Sequence, residues 1–104
     1  MSAIVRGRGS GDGTVGVDIE VDRSLVARAG TRGGRVLVPA GSTIAEAVEA
    51  WADGRGEHLR FALLDGSRLR SSVRASRRSG ETTERLSASS RVVDGDIIRF
   101  ERRE

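Results

Sequence analysis

From Thr43 to Trp51 the chain spells a short amphipathic helix that is too short to be stable alone. Thr43 can cap its start, and Glu46 three residues on completes a capping box. Ile44, Ala47, Val48 and Trp51 then fall at i, i+3, i+4 and i+7, one apolar stripe, with Glu46, Glu49 and Asp53 off it. Gly54 or Gly56 can end the helix. A helix of this length draws most of its stability from a tertiary surface. The flanking residues say what that surface is. Val15, Val17, Ile19 and Val21 alternate with Gly16, Asp18 and Glu20, the period of a strand with one buried face. An extension through Leu25-Val26-Ala27 is compatible with the same strand.

Further runs complete the sheet. Gly30 to Gly34 turns the chain into Val36-Leu37-Val38, and Pro39 suits a strand end or edge. Leu59, Phe61 and Leu63 alternate as another strand, and Asp65-Gly66 offers a hairpin turn into Leu69 and Val73. Leu86, Val92-Val93, an Asp94-Gly95-Asp96 turn and Ile97 to Phe100 close the chain. The predicted order is β-β-α-β-β-β, an α+β fold with a mixed sheet of about four to five strands and one main helix at about 43–53. Residues 74–85, polar and without periodicity, are expected to form an exposed arginine-rich loop. Residues 1–14 hold a short apolar start, Ala3-Ile4-Val5, and a glycine-dense stretch, and are expected to be flexible or to add a strand.

At 104 residues there is room for one core. Only Trp51, Phe61 and Phe100 are aromatic, so that core must be mainly aliphatic. The absence of cysteine excludes a disulfide framework, a thiolate nucleophile and cysteine-based zinc. No run approaches the length of a membrane span and no secretory signal is visible, so a cytoplasmic location is the default. Gly11-x-Gly13-x-x-Gly16 has dinucleotide-fingerprint spacing but stands before a strand instead of after one, so no cofactor is expected. Asp94 and Asp96 flank a turn glycine and His58 is the sole histidine, so neither a metal site nor acid–base catalysis is expected; His58 reads as a surface residue beside a strand. Trp51 reads as core.

All 18 basic residues are arginine, with a net charge of +3 and a pI near 11.1. Base composition of the coding sequence could cause this bias; its chemical result is that no side-chain amine is present to accept an isopeptide bond. Ten arginines face six acids in residues 66–104, and Arg68, Arg70, Arg74, Arg77 and Arg78 run with no acid between them. These five are the candidate partner-binding residues. Arginines in such a run can meet acidic protein surfaces or phosphates, although no aromatic stacking platform lies among them.

Four segments resemble the MoaD/ThiS sulfur carriers, a ubiquitin-like (β-grasp) family: Arg23-Ser-Leu-Val26, Val38-Pro-Ala-Gly-Ser-Thr-Ile-Ala-Glu-Ala-Val48, Leu64-Asp-Gly66 and Val93-Asp-Gly-Asp-Ile-Ile98. The resemblance covers about residues 15–100, with an insertion near 74–84, and implies one ubiquitin-like domain over 15–104. The first segment looks like the loop leading out of that family's first strand. The family works through a tail ending in Gly-Gly, adenylated and then loaded with sulfur. Here Phe100-Glu-Arg-Arg-Glu104 contains no glycine pair, and the only paired glycines, Gly33-Gly34, lie inside the expected fold. The resemblance therefore implies a carrier's body without that tail, and no acyl-adenylate or thiocarboxylate at Glu104. The expected function is a non-enzymatic protein-interaction module, an adaptor or small subunit. The alternatives are an arginine-rich nucleic-acid binder, an atypical sulfur carrier resembling the small subunit of molybdopterin synthase, and a structural assembly subunit.

Overall fold

The computed structural model describes residues 13–53, 55, 57–79 and 81–103. The Ala3-Ile4-Val5 run, most of the glycine-dense stretch and Glu104 lie outside them. Strand β1 (Thr14–Val21) leads into α1 (Arg23–Ala29), β2 (Gly33–Pro39), α2 (Ile44–Ala52) and α3 (Glu57–Leu63). A small hairpin, β3 (Leu64–Asp65) and β4 (Arg68–Leu69), precedes β5 (Val73–Ser79), β6 (Thr82–Leu86) and β7 (Ile97–Arg102). Five strands form one mixed sheet in the order β2-β1-β7-β5-β6. β1 and β7 run parallel at its centre and the other pairings are antiparallel. The β3–β4 hairpin stands apart as a two-stranded sheet.

The first strand and the main helix form as their patterns predict. Val17, Ile19 and Val21 are buried, and Ile98 and Phe100 sit in register beside Ile19 and Val21. The backbone N–H of Glu46 donates to Thr43 Oγ1 at 3.2 Å and that of Thr43 to Glu46 Oε1 at 2.8 Å, so the capping box is complete. Ile44, Val48 and Trp51 are fully buried under the sheet. Pro39 ends an edge strand, where its missing N–H costs no ladder bond. The Asp65-Gly66 hairpin turn is present. The paired glycines serve packing: a Cβ at Gly33 would collide with the carbonyl of Ile19, and one at Gly34 would lie 3.1 Å from Trp51 Nε1.

Three expectations are overturned. Residues 23–29 are a helix, neither strand nor loop, because Asp22 caps it and Leu25 and Ala29 form an i, i+4 buried pair. The hydroxyl and amide of Ser24, together with Arg99, hold the Asp22 carboxyl below the usual carboxylate range. Residues 57–63 are also a helix. Leu59, Ala62 and Leu63 make its buried stripe, whereas Phe61, which the strand pattern placed beside them, is 52% exposed. Alternation over five residues cannot separate the two periods. His58 is accordingly exposed on α3, not beside a strand. Finally, residues 74–85 are not a loop: β5 and β6 pair from Ala75–Leu86 to Ser79–Thr82, and β5 also pairs with β7. The strand pattern was hidden because Arg77 follows Val73 and Ala75 on the core face while the other face is polar throughout.

Candidate interaction site

Because β5 is a strand, the five candidate arginines are dealt to different places. Arg77 points to the core side of the sheet, where only 16% of its side chain is exposed. Its Nη1 donates to Asp96 Oδ2 at 2.6 Å and to the carbonyl of Arg91 at 3.3 Å, and its Nη2 lies 3.4 Å from Glu84 Oε1. Asp96 in turn accepts from the backbone N–H of Val93 at 2.8 Å. The hydrogen bond to Asp96 raises the Arg77 pKa above arginine's ordinary value; burial opposes it, and the attraction of Asp96 and then of Glu84 adds to it. Arg77 is therefore a structural tie between β5, β6 and the turn before β7, and is withdrawn from any partner.

The turn that supplies Asp96 fits its residues. Gly95 has φ 88°, a region open to glycine, and its N–H donates to the carbonyl of Gly16 at 2.8 Å. Asp94 Oδ1 accepts from the N–H of Gly16 at 2.8 Å. These two carboxylates therefore act as turn and sheet acceptors. Among the described residues no group of three or more His, Cys, Asp or Glu is placed to hold a metal.

The other four arginines remain accessible. Arg74 faces Glu101 across the β5–β7 pairing at 3.9 Å, and Arg78 is exposed on the same face of β5. Arg68 is exposed on β4, and Arg70 donates from Nε to the carbonyl of Phe61, clamping the hairpin to α3. Arg68, Arg70 and Arg74 border a cleft of about 780 Å³ between the start of α2, the β3–β4 hairpin and the end of β6. Arg85 and Arg103, which the sequence run did not single out, line it too. No local signal could have found them. They reach the cleft through the pairing of β5 with β6 and β7 and the bond from the Arg103 N–H to the Ser72 carbonyl at 2.7 Å.

A second surface is the face of the sheet turned away from the helices. The register sets Leu37 beside Gly16, Arg35 beside Asp18, and Asp18 beside Ile97. Leu37 is 64% and Ile97 46% exposed. Around them the charges are paired: Arg35 with Asp18 at 3.4 Å, and Arg99 with Glu20 at 3.6 Å and Asp22 at 2.6 Å. The sequence pattern missed this patch because Leu37 and Ile97 lie in runs that read as continuous core.

No family model matches the sequence, and no curated protein matches it either. Solved structures do match in shape. The crystal structure of small archaeal modifier protein 1 from H. volcanii superposes with a TM-score of 0.68 at 20% identity, covering 86% of this chain and 99% of that one. The solution structure of the HVO 2177 protein of Haloferax volcanii gives 0.68 at 12% identity, covering 94% and 97%. The crystal structure of the ubiquitin-like domain of PLXNC1 gives 0.57 at 13%, covering 88% and 100%. At these identities the likeness establishes the fold alone, and it is the fold that the four sequence segments implied. The chain is a ubiquitin-like β-grasp protein in architecture, similar in shape to the small archaeal modifiers.

Proposed function

We propose that the chain is a non-enzymatic protein-interaction module, an adaptor or small subunit, that docks a protein partner on the open face of its sheet. The observation that carries this reading is the placement of Leu37 and Ile97 on the two strands flanking β1, exposed and ringed by mutually paired charges. An apolar centre within a polar rim is the anatomy of a protein interface, and single exposed leucines elsewhere would carry no such meaning. The partner that fits is an apolar strip with an acidic margin toward Arg78, for which no ion-pair partner is present among the described residues. That the neighbouring structures include proteins named as modifiers supports a role in binding other proteins.

Nucleic acid is the reading to be excluded, since the same arginines could meet phosphates. Each phosphate contact releases counterions, giving a log–log salt slope of about −0.7 to −0.9 per contact, so the five arginines could give roughly −3 to −4 if most of them touched phosphate. Arg77 is tied internally, Trp51 and Phe100 are buried, and the exposed Phe61 already carries the Arg60 guanidinium over its ring at 5.8 Å, so no open stacking platform stands among the arginines. Duplex and single-stranded oligonucleotides should therefore show no micromolar binding even at low salt. Micromolar binding with a steep slope, lost when Arg68, Arg74 and Arg78 are changed to Ser, would replace the protein-docking reading.

A further inference from the structure

The arginine-lined cleft is a second surface beyond the β5–β6 side of the sheet, away from Leu37 and Ile97; by register Arg85, which alternates with the core-side Leu86, meets it from the open-face side. Its floor is aliphatic: Val73 and Leu86 are buried there, and Leu69 and Ala88 are packed against the core with part of their surface open. Arg68, Arg85 and Arg103 line it, all exposed, and none has a carboxylate within ion-pair distance among the described residues. The first N–H groups of α2 are not free to hold an anion, because those of Ile44 and Ala45 donate to the carbonyls of Ser90 and Ala88 at 2.8 and 3.0 Å. The charged donors open to an acidic group entering the cleft are therefore arginine side chains, with the hydroxyls of Ser67, Ser71, Ser87 and Ser89 beside them.

We propose that this cleft binds an extended acidic segment of a partner protein, its carboxylates held by Arg68, Arg85 and Arg103 and its aliphatic side chains resting on Leu69 and Ala88. Guanidinium groups match carboxylates in a planar, two-bond geometry, and three of them without an ion-pair partner among the described residues make a surface complementary to negative charge. The chain's own residues 1–12, with Arg6 and Arg8 against Asp12 alone, do not supply the negative charge this cleft would bind. Nucleic acid fits it less well: no aromatic residue lines the cleft, and a uniformly charged backbone would set phosphates against Glu46 and Glu49 on the α2 wall, where a peptide can place uncharged side chains. Those glutamates are engaged, Glu46 in the capping box and Glu49 with Arg60 at 3.5 Å, so they confine carboxylates to the arginine side and leave the intervening wall to uncharged side chains. The exposure of the arginines fits a strand of peptide laid across the surface better than a small molecule enclosed within it.

The test is fluorescence anisotropy with the full chain and a short labelled peptide of glutamates interspersed with leucines. The variant Arg68→Ser/Arg85→Ser/Arg103→Ser removes the cleft arginines. Arg23→Ser/Arg28→Ser/Arg32→Ser removes equal charge from exposed positions on and beside α1. The peptide is expected to bind the native chain, to bind the cleft variant about tenfold more weakly, and to bind the α1 variant unchanged, as three lost surface charge contacts imply. Circular dichroism should show both variants folded. An equal loss in both variants, the absence of binding at low salt, or tighter binding of a single-stranded oligonucleotide that the cleft variant abolishes would each overturn the proposal. Such a failure would leave the open-face reading intact, because Leu37 and Ile97 take no part in it.

Discussion

Trp51→Ala is expected to lower the unfolding free energy by about 3–5 kcal/mol, the range for removing a large aromatic from a packed core. Trp51 is fully buried at the end of the α2 stripe, between the helix and β2, where Gly34 admits the backbone close to the indole. Among the described residues the indole Nε1 has no hydrogen-bond partner, so its burial rests on area and packing, and truncation leaves a cavity. With a domain this size each kcal/mol moves the midpoint by roughly 4–8 °C, so the change should be visible in a single thermal scan. Trp51 is the only tryptophan, so far-ultraviolet circular dichroism is the readout. A change below about 1 kcal/mol would mean that α2 does not seal the core as described.

Asp96→Ala is the second large effect. It removes the 2.6 Å partner of Arg77 and the acceptor for the Val93 N–H, and leaves a guanidinium mostly shielded from water with the Arg91 carbonyl at 3.3 Å and Glu84 at 3.4 Å as its remaining partners. A partly buried charge deprived of its partner is expected to cost about 2–4 kcal/mol, read from urea midpoints. Replacing both residues, Arg77→Met with Asp96→Ala, should recover part of that loss, because the cost lies in the unpaired charge more than in the missing attraction. Additive single effects in the cycle would show that the two residues act independently and that the tie between β5 and the β7 turn is not a coupled one.

These two residues also mark where the sequence could and could not be read. Trp51 was legible because a capped helix with a single apolar stripe repeats its signal over two turns. The central strands were legible because Val17, Ile19 and Val21 alternate cleanly and meet another apolar strand in Ile98 and Phe100. Arg77 was not legible. It occupies a core-side position at the sheet's rim, where a partner far along the chain, Asp96, makes a charge tolerable, and nothing local announces that partner. The same long-range pairing hid β5 and β6 and carried Arg85 and Arg103 to the cleft. In α3 the failure was one of period: Leu59 and Leu63 satisfy both a strand and a helix, and only the position of Ala62 against the core decides between them. Of the run Arg68 to Arg78, Arg68 and Arg78 are exposed, Arg70 and Arg74 are half-buried and Arg77 turns to the core side: contiguity in sequence did not become contiguity in space, because a strand sends neighbours to opposite faces.

The most direct measurement of the docking reading places a photo-activated crosslinking residue at Leu37, at Ile97 or, for comparison, at Phe61, which is equally accessible on α3. The full chain would be expressed in its source organism and irradiated. The expected result is one protein adduct of the same mass from positions 37 and 97, absent from position 61, and lost when the unlabelled member of the Leu37–Ile97 pair is changed to Asp. Adducts of equal yield from position 61, or crosslinks to nucleic acid from positions 37 and 97, would contradict it.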